Sequence, residues 1–311
     1  MKTKILVTGG AGFIGSHLVE KFSPNENEIT VFDNLSTGRK EFLQNVPYRI
    51  IQADVQDADA VLNATKGMDE VFHFAGDVNV RRSISEPAAS FNTEVLGTFN
   101  VLEACRKNDI KKLCYSSSFL VYGNPEIKPP PETAAIHPIT NYGAGKAASE
   151  AFITSYSELY GINSVVLRYT AVQGPRLLAR VVYDLYMKLK ADKSELEILG
   201  DGMQKRGFIH VSDCVDGTMV ARKVAKKPVD FFNVGVAEDD VITIKEIADL
   251  IVEMMDLKNV KYKFTGGSVG WKGDVSYLAV SIEKLRKHGW SPKFTVRQSV
   301  IDTIDWLMKN A

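Results

Sequence analysis

Thr8-Gly9-Gly10-Ala11-Gly12-Phe13-Ile14-Gly15 follows the β-rich run Lys4–Thr8 and opens the amphipathic stretch Ile14–Phe22. A strand, a glycine-rich turn and a helix in immediate succession are the context in which a glycine loop cradles a dinucleotide. Gly9 lets the backbone turn tightly, Gly12 lets it approach a pyrophosphate, and Gly15 lets helix pack on strand. The helix N-terminus meanwhile offers unpaired N–H donors to the anion. A chance glycine cluster in a tight turn is the competing reading, and it leaves both neighbours unexplained. Eighteen residues past Gly15, at the end of the next β-rich run, stands Asp33, whose carboxylate can accept both hydroxyls of an adenosine ribose. The same charge repels a 2′-phosphate, which predicts NAD; Arg39 is the nearby cation that leaves room for NADP. Asp33 also suits the start of the turn Asn34-Leu35-Ser36-Thr37-Gly38, and the two roles are compatible.

Outward from this loop, β-rich runs alternate with helical patterns. Lys4–Thr8, Glu28–Phe32, Tyr48–Ala53, Glu70–Phe74, Lys112–Ser117 and Ser164–Leu167 read as strands; Ile14–Phe22, Ala58–Ala64, Phe91–Lys107 and Tyr142–Tyr160 read as helices. Such alternation predicts an α/β fold, a doubly wound parallel sheet (Rossmann fold) with right-handed crossovers and helices on both faces. After about residue 170 the rhythm changes, with a break at Gly174-Pro175, a helix through Leu185–Lys190 and a turn at Gly200-Asp201-Gly202. Helices near Val215–Ala225, Ile244–Met255 and Val296–Met308 and a strand Phe231–Val234 follow. The expected division is an NAD-binding domain over residues 1–170, to which 206–242 return, and a smaller mixed α/β substrate-binding region over 171–205 and 243–311.

Lys+Arg and Asp+Glu both number 38, so no bulk field draws nucleic acid or an anionic membrane, and any anionic ligand must be held locally. Cys105, Cys114 and Cys214 lack CxxC spacing, which argues against a disulfide framework and against zinc. None of the five histidines pairs with another His or Cys at ligand spacing, so no metal is expected. The N-terminus runs into a strand too soon for a signal peptide, and no run reaches the roughly 18 apolar residues of a membrane span. A cytoplasmic location is expected.

Tyr142 and Lys146 lie four apart at the start of a helical pattern, so both side chains face one way. An ammonium beside a phenol lowers its pKa and makes a base that can take a proton from a substrate hydroxyl as hydride leaves the carbon. Tyr115-Ser116-Ser117-Ser118 ends the fifth strand, whose C-terminal end points into the cofactor crevice of an open α/β sheet. A serine there can hydrogen-bond the reacting oxygen, and Ser118 is the candidate. Serines at strand ends are also ordinary turn formers.

TGGAGFIGSH, DNLSTG, Asp54-Val55, HFAG, SSS…VYG, YGAGK and FIHVSD together resemble the extended short-chain dehydrogenase/reductases, within them the group of UDP-galactose (UDP-glucose) 4-epimerases. The likeness runs over nearly the whole chain. It implies NAD held by Gly9, Gly12, Phe13, Ile14, Gly15, Asp33, Asn34, Ser36, Thr37, Gly38, Asp54, Val55, Phe74, Ala75, Gly76, Asn92, Tyr142, Lys146 and Tyr169. It implies catalysis by Ser118, Tyr142 and Lys146, and a nucleoside-diphosphate sugar bound by Ser118, Tyr142, Arg206, Lys272 and Asp274. The implied reaction is transient oxidation at sugar C4 with hydride returned to the opposite face. A homodimer through the helices Phe91–Lys107 and Tyr142–Tyr160 is also implied.

Three departures accompany the likeness. Ala171 stands where the group carries an asparagine that touches the diphosphate, and Val269 lies where an arginine is expected, Lys272 being the basic residue there. Lysine gives phosphate a point charge without arginine's bidentate fork. Phe119 and Leu120 occupy positions where dehydratases and decarboxylases of this fold carry an acidic residue, which lowers the standing of elimination chemistry; Leu120 also replaces the epimerases' threonine. Arg206 matches the group's phosphate-binding arginine, although an exposed Lys205-Arg206 pair is also an ordinary solvated charge. The missing contacts keep a second reading open, an NAD-dependent dehydrogenase or reductase of another sugar nucleotide or a small alcohol.

Overall fold

The computed structural model describes residues 1–77, 79–226, 228–267 and 279–311. Its strands are β1 Thr3–Thr8, β2 Asn27–Asp33, β3 Arg49–Gln52, β4 Glu70–His73, β5 Lys112–Ser118, β6 Asn163–Tyr169, β7 Ala171–Gln173, β8 Glu195–Ile198, β9 Lys205–Arg206, β10 Phe208–His210, β11 Val229–Val234, β12 Ile242–Thr243 and β13 Lys261–Phe264. Its α-helices are α1 Phe13–Lys21, α2 Ala58–Ala64, α3 Arg82–Ser85, α4 Pro87–Phe91, α5 Gly97–Lys107, α6 Asn141–Tyr160, α7 Arg180–Ala191, α8 Val211–Val224, α9 Ile244–Met254, α10 Glu283–Arg286 and α11 Val296–Asn310.

Seven strands form one sheet in the order β11-β6-β5-β4-β1-β2-β3, every neighbouring pair parallel. Successive side chains of a strand face opposite sides, and the two cores show it. Ile5 and Val7 join the cluster containing Leu18 and Val19 of α1 and Cys214 and Val215 of α8, whereas Leu6 joins the one containing Val61 of α2, Leu102 of α5 and Ile153 of α6. Both faces are covered, as a parallel sheet requires. The order steps out in one direction from β1 through β2 and in the other through β4, so the crevice at the strands' C-terminal ends opens between β1 and β4.

The former cluster extends into the C-terminal part, through Leu185 and Tyr186 of α7, Leu250 of α9 and Ile304 of α11. Three two-stranded ladders stand apart from the main sheet: β10 with β7, parallel; β12 with β9, antiparallel; and β13 with β8, parallel. Among the described residues no helix is long and apolar enough to cross a membrane. One expected helix differs: Phe91–Lys107 is interrupted, because α4 runs through a π turn, Asn92–Leu96, into α5 with helical backbone throughout. That turn packs where Val55 stands closest, 2.7 Å from where a Cβ on Gly97 would sit.

Candidate active site

The glycine loop folds as its residues require. Gly9 has φ +68°, and a Cβ on it would lie 2.6 Å from Ala75 N, so the β1 loop touches the β4 loop only because the side chain is missing. A Cβ on Gly15 would collide with the Gly9 carbonyl. Helix α1 starts at Gly12 with no side-chain cap and no acidic residue in its first turn, leaving its N-terminal donors for an anion.

Asp33 starts the turn as the sequence allows, and it also holds the glycine loop. Its Oδ2 accepts from Ala11 N at 2.9 Å and its Oδ1 from Leu35 N at 2.8 Å, which ties the β2 end to the glycine loop. Burial pushes its carboxyl above the usual range, and these two N–H donors pull the other way. Asn34 Oδ1 accepts from Ser36 N at 2.9 Å, and Asn34 Nδ2 donates to Asp54 Oδ2 at 2.8 Å. Arg39 N donates to Ala11 O at 2.9 Å, so Ser36, Thr37 and Gly38 fold back over the loop. Phe13, Ile14, Asp54, Val55, Phe74, Ala75 and Gly76 thereby line the C-terminal ends of β1 to β4 or the elements that leave them. A loop whose close approaches exclude a Cβ, an uncapped helix start and a carboxylate at the next strand end suit an adenine dinucleotide.

Across the crevice, the three serines of β5 have three fates. Ser116 O accepts from Lys146 Nζ at 2.7 Å. Ser117 Oγ donates to Glu150 Oε1 at 2.6 Å, and Glu150 forms a buried bidentate pair with Arg168, at 3.0 and 2.7 Å. Arg168 in turn donates to Tyr122 Oη, which donates to Asn233 Oδ1, each at 2.8 Å, so the network joins β5, α6, β6 and β11. Ser118 is left for the crevice: its Oγ accepts from Leu120 N at 3.2 Å, and it stands near enough to Tyr142 to favour the phenolate.

Tyr142 is half-buried in the first turn of α6, whose start Thr140 caps by accepting from Gly143 N at 3.0 Å. Lys146 Nζ stands 5.7 Å from the Tyr142 ring centroid and 4.9 Å from that of Tyr115. The expected lowering of the phenol's pKa is present but outweighed. Burial pushes Tyr142 up, Lys146 pulls it down, Glu94 pushes it up again, and Arg180 and Ser118 pull it down. Burial works against the Lys146 ammonium, but Glu94, Tyr115 and Tyr142 outweigh it and keep Lys146 charged.

Spacing alone did not single out Glu94. It lies in the π turn with its carboxylate fully buried, Oε2 2.8 Å from Lys146 Nζ and Oε1 accepting from Asp77 N at 2.6 Å. Asn92, two residues earlier, is half-buried. His73 was missed as well: it bridges Thr8 Oγ1 at 2.7 Å and Thr98 Oγ1 at 3.1 Å, joining β1, β4 and α5 beneath the crevice. Burial, with Lys146 nearby, pushes its pKa down to about 3, so it is neutral. Arg180 opens α7 with φ +71° and adds a second cation to the field at Tyr142.

Other expected residues stand apart. Tyr169 is buried with its hydroxyl 2.6 Å from Thr218 Oγ1 and its ring 6.2 Å from that of Phe74, so only ring and main chain are left to face the crevice. Arg206 sits on β9 in the C-terminal part, where its guanidinium donates to Lys205 O at 3.1 Å. Ala171 begins β7, and Leu120 is buried in a short 3₁₀ turn, Phe119–Val121. Lys272 and Asp274, with Val269, lie outside the described residues.

Comparison with known proteins agrees with this geometry. A crystal structure of UDP-galactose 4-epimerase superposes with a TM-score of 0.89 at 38% identity, over 99% of each chain. The UDP-glucose 4-epimerase of Thermus thermophilus, solved with NAD, gives 0.86 at 31%, over 99% of this chain and 100% of that one. The dTDP-D-glucose 4,6-dehydratase of Homo sapiens is 31% identical over 99% of this chain and 90% of its own. The profile of the NAD dependent epimerase/dehydratase family matches residues 5–235. With the crevice, the glycine loop and the tyrosine-lysine turn in place and NAD as the cofactor, the chain belongs to the NAD dependent epimerase/dehydratase family.

Proposed function

We propose that this enzyme is a 4-epimerase of a nucleoside-diphosphate sugar, with UDP-glucose and UDP-galactose as the favoured pair. One observation carries the reading: Ser118, Tyr142 and Lys146 converge at the end of β5, while the adjoining Phe119 and Leu120 cannot transfer a proton. Bound NAD supplies the hydride acceptor and donor. Tyr142 takes the proton of the sugar 4-hydroxyl and returns it, Ser118 hydrogen-bonds the same oxygen, and Lys146 holds the phenol's field and the cofactor side of the crevice. Gly9, Gly12, Phe13, Ile14, Gly15, Asp33, Asn34, Ser36, Thr37, Gly38, Asp54, Val55, Phe74, Ala75, Gly76, Asn92 and Tyr169 form the proposed cofactor site. Arg206, Lys272 and Asp274 are the proposed anchors for the nucleotide. Anchoring matters because the 4-keto sugar must turn over without leaving, so a firm grip on the diphosphate preserves the outcome as well as the affinity.

Purified protein incubated with UDP-galactose and NAD is expected to form UDP-glucose without net reduction of the cofactor. Absence of turnover across UDP-, dTDP- and GDP-sugars defeats the proposal. Tyr142→Phe is expected to lower kcat by about 10²- to 10⁴-fold with the NAD affinity retained. A second reading, net oxidation of a different sugar nucleotide or small alcohol, draws on Ala171, whose methyl replaces a side-chain amide. Steady accumulation of reduced cofactor would favour it.

The proposed assembly is a homodimer through α5 and α6. Phe99, Phe152, Leu159 and Tyr160 are exposed there, and the Phe99 ring packs edge-on to Phe152 at 5.8 Å and to Tyr156 at 6.2 Å. An apolar face of this kind, shared by two neighbouring helices, suits burial against its own copy. Phe99→Glu with Phe152→Glu is expected to halve the mass measured by light scattering. A cytoplasmic location is proposed on the three free, buried cysteines, Cys105, Cys114 and Cys214.

A further inference from the structure

Glu94 has no task in the chemistry above, yet its carboxylate is fully buried against Lys146. A carboxylate without solvent exposure persists in ionised form only when a counter-charge and hydrogen bonds replace its water. Lys146 Nζ at 2.8 Å supplies the counter-charge and Asp77 N at 2.6 Å the hydrogen bond. The Gly76 turn closes over both groups: a Cβ there would lie 3.0 Å from Glu94 Oε1 and 3.2 Å from Lys146 Nζ. With Ser116 O accepting a lysine hydrogen at 2.7 Å and Glu94 Oε2 pairing with the charge, the ammonium is held from two sides, on β5 and on the π turn. We propose that Glu94 is a positioning residue of the Tyr142/Lys146 pair: it pins the ammonium beneath the Gly76 turn and cancels part of the positive field that Lys146 casts on the phenol.

Burial pushes the Glu94 carboxyl up, while the Lys146 ammonium at 2.8 Å and the Asp77 N–H pull it down and favour its ionised form. Tyr142 faces Lys146 on its own helix, Ser118 on β5, Glu94 on the π turn and Arg180 on α7. Lys146 faces Glu94, Tyr115 and Tyr142, with His73 neutral on β4 and Asp77 beside Glu94. Lys146 and Arg180 favour the phenolate, and Glu94 opposes it. Removing the Glu94 charge leaves the phenol facing two cations, and it ionises more readily. The inference rests on Tyr142 being the base of the proposed reaction and is independent of the sugar.

The test is an ultraviolet titration of tyrosinate in the NAD-loaded protein, each form referenced to its own Tyr142→Phe counterpart, so no substrate is needed. Glu94→Gln is expected to move the Tyr142 titration about one unit towards acid, roughly tenfold more phenolate at a given pH. Glu94→Asp, which keeps the charge, is expected to leave it close to that of the unaltered protein. An unchanged or alkaline-shifted titration in Glu94→Gln overturns the proposal, as does an equal shift in Glu94→Asp. Should Glu94→Gln not fold, Glu94→Gln combined with Lys146→Gln removes both charges together. Its Tyr142 is expected to titrate within about one unit of the unaltered protein, whereas a rise of about two units or more, the full effect of a neighbouring ammonium, overturns the proposal. Lack of sugar turnover in the unaltered protein would count against the proposed reaction and leave these titrations readable.

Discussion

Two kinds of helix start face each other in this fold. Helices α9 and α11 begin with complete capping boxes, Thr243 with Glu246 and Thr295 with Gln298, each residue satisfying the other's backbone N–H. Helix α1 begins at Gly12 with nothing. A helix that completes its own N-terminus contributes to stability, and one that leaves it open keeps donors for a ligand. Helix α7 also starts uncapped, at Ala179, so it is the open start together with the glycine loop that distinguishes α1.

The largest effect that can break this contrast is Gly15→Ala. The added methyl collides with the Gly9 carbonyl, so the loop must move, and NAD binding measured by calorimetry is expected to weaken by about 100-fold or more. Asp33→Ala removes an acceptor that also holds Ala11 N and Leu35 N. NAD affinity is expected to fall by about 10- to 100-fold, with discrimination against NADP relaxed. Gly12→Asp sharpens the comparison by giving α1 an acidic cap of its own. Binding is expected to weaken about tenfold, because a fixed carboxylate competes with the pyrophosphate, while the melting temperature of the NAD-free protein stays level or rises. Thr295→Ala is the smallest: about 1 kcal/mol of stability lost in urea denaturation, with Kd for NAD unchanged. Loss of NAD affinity in Thr295→Ala would show that the two kinds of start are not separable.

What was readable in advance follows from how local each feature is. The glycine loop, Asp33 and the four-residue step from Tyr142 to Lys146 are contiguous patterns tied to strand and helix periods, and the main sheet follows from the same alternation. The ladders β9 with β12 and β8 with β13 depend on pairing between short segments distant in the chain, Arg206 with Ile242 and Glu195 with Lys261, which leaves no period to detect. Ser118 was the sequence's candidate, but the reason Ser117 is engaged elsewhere was not legible: it donates to Glu150 of α6, which Arg168 of β6 pairs. Glu94 was hidden for another reason: a charged residue between Thr93 and Val95 reads as an exposed helix position, and depth is a property of the packed helices.

The π turn also bears on chain length. Such a turn closes i→i+5 bonds and holds one residue more than an α-helical turn, which makes it the trace of a single-residue insertion in a helix. Each residue of an α-helix advances about 100°, so residues 87–91 are rotated by roughly that angle relative to an unbroken continuation of α5. Deleting one residue within 92–96 would therefore regularise the helix and swing a different side chain towards Lys146. A gap of one residue in this stretch, between this chain and any relative, changes which side chain stands beside Lys146.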